Sequence, residues 1–126
     1  GARIFGIVGF DNTALASGGV ARTETSSVNF TSTATTIMSF NASTYRAAEL
    51  FIKLTDTANT EYAAMKANVI HNGSTAFGNI YGVVNTAGEA SDLATITFEH
   101  DGSGTVNVKA ATTGGQTAAV VQYSLC

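Results

Sequence analysis

Val69-Ile70-His71-Asn72-Gly73-Ser74-Thr75-Ala76-Phe77 and, further along the chain, Phe98-Glu99-His100-Asp101-Gly102 decide how this sequence reads. Each places an Asn-Gly or Asp-Gly pair between segments of alternating apolar and polar residues, the strongest short-range signal of a β-hairpin. The glycines are expected to take the positive φ of a turn. Each histidine holds the last strand position, where an imidazole can bond the turn backbone. From Tyr45 to the C-terminus the residues are Thr, Val, Ala, Ile and Gly in short runs. No set of His, Asp, Glu, Ser or Cys among them is spaced for chemistry.

Strands extend outward from those turns. Over residues 46–55, Ala48, Leu50, Ile52 and Leu54 share one face while Glu49, Lys53 and Thr55 share the other. Phe51 is the exception, a large apolar residue on the polar face, and so a candidate contact with a neighbour. Residues 61–70 carry helix-favouring Ala63, Ala64 and Ala67. Because they feed straight into the first turn, a strand is the better reading. Over residues 75–84, Phe77, Tyr81 and Val83 fall on one parity and Gly78 and Gly82 on the other. Glycines on one parity leave a groove or admit a second backbone. Ile96, Phe98, Val106 and Val108 point inward from residues 93–99 and 105–110. Further strands are expected over 26–31, 36–40 and 118–125. Eight or nine short strands with turns every 8–14 residues predict an all-β, antiparallel sandwich of jelly-roll-like type.

Residues 1–22 read as an N-terminal arm preceding a sandwich module over residues 23–126. Ile4, Phe5, Ile7, Val8 and Phe10 make a dense apolar run with a strand expected over residues 3–10, followed by Gly18-Gly19. Such a run, without clean alternation, is buried on both faces or covered by another subunit. With Phe51, these residues form the candidate interface. The first residue is Gly rather than Met, which fits loss of an initiator Met or release from a longer polypeptide.

Charged residues make up 12% of the 126, while there are 19 Thr and 10 Ser, against a usual charged share of about 25%. Hydroxyls thus take the place of charges on the surface, which suits pleated strands and leaves little repulsion between copies. Homo-oligomerisation is the default expectation. Proline is absent, so strand edges must be protected by other means, such as pairing with a neighbouring chain. The net charge is −3 and the six Lys and Arg are scattered, which argues against a nucleic-acid partner. No apolar run approaches the roughly 20 residues of a membrane span, so no membrane partner is expected. Cys126 is the single cysteine, so no disulfide can form within the chain.

Catalytic, metal and cofactor readings all fare poorly. His71 beside Asn72, and His100 beside Glu99 and Asp101, suggest a metal, but spacing offers no third ligand. Asp56, Asp92 and Asp101 lie in no calcium-loop pattern. Glu24, Glu49, Glu61, Glu89 and Glu99 are dispersed, and no Gly-x-Ser-x-Gly is present. No enzyme activity, cofactor or metal is expected. Three Asn-x-Ser/Thr triplets, at Asn29, Asn41 and Asn72, read as coincidence. Tyr45, Tyr62, Tyr81 and Tyr123 offer rings on which a sugar can stack, with Tyr81 the candidate glycan contact, although the chain has no Trp.

Tyr45-Arg46-Ala47-Ala48-Glu49, Tyr62, residues 69–77 and Tyr81-Gly82-Val83-Val84, followed by Gly104-Thr105-Val106-Asn107-Val108 and Thr112-Thr113, resemble a β-sandwich module of tailed-bacteriophage virion proteins. That module is common in phages of cyanobacteria and other marine bacteria. It has a Tyr-Arg strand, a strand ending in His-Asp-Gly-Thr-Thr-Ala-Tyr, a Tyr-Gly-Val strand and a Gly-Val-Asn-type strand with a Thr-rich hairpin. The match covers about residues 27–126, with Asn72 and Phe77 departing conservatively. The resemblance implies a virion structural protein, made in the host cytoplasm, of the decoration, fibre or neck type. It transfers no catalytic residue. The partners it implies are further copies of the chain, with threefold rings the first expectation, and other virion proteins of the capsid or tail. A module that binds host-surface glycans is the alternative.

Overall fold

A computed structural model describes residues 22–86, 93–112 and 117–126, and all of its regular structure is β. Nine strands lie among the described residues: β1 (Thr23–Glu24), β2 (Val28–Phe30), β3 (Thr35–Asn41), β4 (Ala47–Asp56), β5 (Glu61–His71), β6 (Ala76–Asn85), β7 (Thr95–His100), β8 (Thr105–Ala111) and β9 (Thr117–Leu125). The larger sheet runs β1-β9-β4-β5-β6, with β2 also on β9, and the smaller runs β3-β8-β7. Every pairing is antiparallel. The two sheets enclose one core, as the alternation predicts. The segment at 61–70 is a strand despite its alanines. The strand expected over residues 3–10 lies outside the described residues.

β4 is the clearest case of pattern becoming structure. Ala48, Leu50, Ile52, Leu54 and Asp56 are buried, and Glu49, Phe51 and Lys53 are exposed. It pairs along its length with β5 on one side and β9 on the other. Its inner residues meet Ile37, Phe40, Val106 and Val108 of the smaller sheet in a single cluster. Each such Leu, Ile or Val contributes about 1.5–3 kcal/mol by leaving water.

Two bulges break the alternation, and both change which residues face inward. In β3 the register with β8 shifts between Thr36 and Met38. Successive residues Ile37 and Met38 are both buried as a result, as happens where two residues oppose one. In β6 the register with β5 shifts between Ala64 and Lys66, so that Gly82 and Val83 together oppose Met65. Gly82 has φ +63°, a backbone conformation that costs an L side chain about 1–2 kcal/mol. Val83, itself about half exposed, lines a pocket with Met65, Ile80 and Leu93. The expected common parity of Phe77, Tyr81 and Val83 therefore fails at Val83, and Val84 takes the outer position with 71% of its surface exposed.

Gly78 leaves space that the opposite sheet fills. A Cβ built there would stand 2.6 Å from the ring of Phe98 on β7, so the missing side chain admits an aromatic where β6 meets β7. Gly78→Ala is expected to lower stability by about 1–3 kcal/mol through overpacking. Phe98→Ala in the same chain should recover part of the Gly78→Ala cost, a non-additivity that urea unfolding of the two singles and the double measures.

Candidate functional site

The outer face of the larger sheet collects most of the exposed apolar residues. Cross-strand register sets them in rows. Ala47, Ile70 and Phe77 stand side by side on β4, β5 and β6, and Phe51, Lys66 and Tyr81 form another row. Between these lies the polar row Glu49, Asn68 and Asn79. Ile70 and Phe77 are about half exposed, at 50% and 54%, and Phe51, Tyr62 and Tyr81 also face solvent. Phe51 thus stands on the open face, where the sequence placed it. Ile70 and Phe77 went unmarked as contacts, although Ile70 carries the same signal: it shares the parity of Lys66 and Asn68, opposite buried Ala67 and Val69.

Two depressions cross this face. One, of about 610 Å³, is lined by Ala47, Ile70, Phe77, Leu125 and Cys126, with Glu49 and Asn68 along it. The other, of about 210 Å³, brings Phe51 and Tyr81 together around Lys66, with Arg22, Glu49 and Gln122 at its margin. The candidate interface residue and the candidate glycan residue are therefore neighbours. The other tyrosines are spread apart: Tyr45 precedes β4, Tyr62 is exposed at the far end of β5, and Tyr123 packs against the core. Arg22 Nη2 donates to Glu49 Oε1 across the sheet. Ile4, Phe5, Ile7, Val8 and Phe10 lie outside the described residues.

The two histidines sit together at one end of the sandwich, their rings 5.6 Å apart and tilted by 55°. Each does the same local work: Gly73 N–H donates to His71 Nδ1 at 3.0 Å, and Gly102 N–H donates to His100 Nδ1 at 3.0 Å. Gly73 and Gly102 have φ +98° and +79°. Asn72 and Asp101 lack a positive φ, so these are not two-residue hairpins. Four residues separate the paired strands in each, and the Asn or Asp side chain closes the loop. Asn72 Oδ1 accepts the N–H groups of Ser74 and Thr75. Asp101 Oδ1 accepts those of Ser103 and Thr105.

His71 is buried and fully used. Because Nδ1 accepts from an N–H, the ring hydrogen is on Nε2, which donates to the Tyr45 carbonyl at 2.8 Å. Arg46 Nη1 donates to the His71 carbonyl at 3.2 Å. The Tyr45-Arg46 pair and the His71 turn, separate pieces of the sequence motif, are thus one hydrogen-bonded unit. Asn41 Oδ1 accepts the Ser43 N–H in the preceding turn.

Of the acidic residues that suggested calcium or catalysis, Asp56 and Asp101 serve turns, and Glu24, Glu49 and Glu99 pair at the surface. Asp56 accepts from Ala58 N–H, Asn59 N–H and Asn59 Nδ2. Lys109 pairs with Glu99 at 3.2 Å, and Gln122 donates to Glu24. Asp92 and Glu89 lie outside the described residues. Among the described residues no group of three His, Cys, Asp or Glu lies close enough to share a metal ion, and no helix is long and apolar enough to cross a membrane.

No protein-family model matches the chain, and no curated protein matches it. Among solved structures it is similar to the tailspike protein of Acinetobacter phage vB_ApiP_P1, with a TM-score of 0.44 and 16% identity. The likeness covers 100% of this chain and 24% of the tailspike, so the chain spans about a quarter of that protein's length. At that score and identity the likeness defines no shared function.

Two carboxyls are held below their ordinary range. The Asn59 side-chain amide lowers Asp56 most, and the Ser103 and Thr105 N–H groups lower Asp101. A lowered folded-state value stabilises the fold above the unfolded carboxyl pKa of about 3.9, and that stabilisation is lost as pH falls through the folded value. Asn72 does the work of Asp101 without charge. Asp101→Asn should therefore keep its melting temperature near neutral pH within a few degrees of the parent. It should also lose less on acidification below about pH 4, a comparison that melting curves across pH provide.

Proposed function

We propose that this chain is a non-enzymatic structural module of a bacteriophage virion, a capsid decoration (cement) subunit or a tail or fibre module, acting by protein–protein assembly. The observation that carries the reading is the outer face of the larger sheet, where Phe51, Tyr62, Ile70, Phe77, Tyr81 and Val84 stand exposed on adjacent strands. Large apolar residues gathered on one open face, here in rows on either side of Glu49, Asn68 and Asn79, mark an interaction site. All of these residues except Phe51 come from the segments that resemble the phage module, and the coupling of Tyr45 and Arg46 to the His71 turn gives that motif a structural reason. The expected partners are further copies of the chain, in threefold rings, and capsid or tail proteins of the virion.

A second reading, binding of a host-surface glycan, is favoured by one arrangement: Phe51 and Tyr81 flank Lys66 with Arg22, Glu49 and Gln122 nearby. Aromatic faces with a few polar groups suit a sugar ring. Size favours the first reading at this depression. The depression of about 210 Å³ falls below the roughly 300–1,000 Å³ of small-molecule sites, whereas the open face extends across three strands.

Sedimentation of the purified chain tests the assembly reading. The parent should sediment as an oligomer, with three copies expected. Phe51→Ser is expected to weaken association by about tenfold, the effect of losing one central apolar contact. A chain that stays monomeric and binds neither capsids nor tails overturns the reading. Glycan binding that Tyr81→Ala abolishes, with mass unchanged, replaces it with the second.

A further inference from the structure

The 610 Å³ groove at the Cys126 end of the outer face has an occupant within the sequence. β1 pairs antiparallel with β9, Thr23 opposite Tyr123 and Glu24 opposite Gln122. Followed toward the N-terminus, the chain therefore leaves the sheet alongside Ser124, Leu125 and Cys126, which line that groove. The Arg22–Glu49 ion pair pins the exit point to the outer face, since Glu49 lines the groove as well. Upstream lie Ile4, Phe5, Ile7, Val8 and Phe10, a dense apolar run separated from Arg22 by residues 11–21.

We infer that residues 4–10 dock in the groove of their own chain, against Ala47, Ile70 and Phe77. The chemistry matches, an apolar segment on an apolar floor whose charged neighbour, Glu49, is already engaged by Arg22. Distance permits it: the groove floor lies two to four strand spacings from β1, about 10–19 Å, and eleven residues reach at most about 36 Å. Gly18-Gly19 falls within that link, where a reversal of the chain is required. A tether this short holds the segment at an effective concentration on the order of millimolar. At micromolar protein it outcompetes the same segment of a second copy. The assignment deepens the assembly reading and departs from the expectation that the arm joins subunits: the arm covers part of the interaction face of its own module, and the rows around Phe51 and Tyr81 stay open to a partner.

Cys126 is exposed, lines the groove and is the single cysteine, so it serves as the reporter. Ile7→Cys and Val8→Cys, made separately to sample both side-chain parities, are oxidised in the otherwise unaltered chain at micromolar concentration. Ala58→Cys, in the turn at the far end of β4, is the control for adventitious pairing. At least one arm variant should form an intrachain disulfide, seen after trypsin as segment 4–22 joined to segment 110–126. Adding Ile70→Asp, a change at a half-exposed residue, should lower its yield by about tenfold. Links that form between copies, that form no faster than with Ala58→Cys, or that ignore Ile70→Asp overturn the inference. Sedimentation of the parent judges assembly separately. A monomer that binds neither capsids nor tails but forms the arm cross-link removes the assembly reading alone, and an oligomer without the cross-link removes the docking alone.

Discussion

Everything in this fold hangs on the register of β4 between β5 and β9. Strand side chains alternate with a period of two, so a slip of one residue exchanges the faces. In the observed register Leu50, Ile52 and Leu54 are fully buried, and Glu49, Phe51 and Lys53 face out. The slipped register would bury a carboxylate and an ammonium without partners, a cost of several kcal/mol per charge. Exposing Phe51 is small beside that. The same constraint that builds the core therefore creates the apolar outer face, because β5 and β6 are locked to β4 and present Ile70 and Phe77 on the same side.

The imidazole end shows how a small sandwich fixes its corners without proline or a disulfide. His71 and His100 each take a glycine N–H, and Asn72 and Asp101 each take two more from the loop. These bonds fix the conformation of exposed loops from within, as Asn and Asp side chains do in turns. One hairpin belongs to each sheet, and the ring contact between the histidines ties the two sheets at that end. Arg46 and the Tyr45 carbonyl extend the unit to the start of β4, so the turn chemistry and the central strand support each other. Histidine, asparagine and aspartate here are structural residues whose polarity serves the backbone.

Where local pattern and observed structure part, a bulge is the cause. Ile37 and Met38 are adjacent in sequence and both buried, which alternation forbids and the shift against β8 allows. Val83 leaves the parity of Phe77 and Tyr81 at Gly82, whose positive φ permits the extra residue. A bulge depends on what a strand pairs with, and one strand's sequence does not specify its partner. The edge pieces β1 and β2 are a further example. The strand expected over residues 26–31 is β2, Val28–Phe30, and a second piece that the pattern does not mark, Thr23–Glu24, lies on β9 beside it. Between them the Val121 N–H donates to the Thr25 hydroxyl.

Sequence alone determined the all-β class, the hairpins at His71 and His100, the inward set of β4 and β8, and Phe51 as an outward apolar residue. These are local properties, written in the period of two and in the stereochemistry of glycine turns. Tertiary structure decided which strands share a sheet, that Ile70 and Phe77 stand beside Ala47, and that Phe98 fills the space above Gly78. It also joined Tyr45 and Arg46 to a histidine about 25 residues away. Those contacts join segments distant in the chain, and only the packing of two sheets over one core brings them within reach.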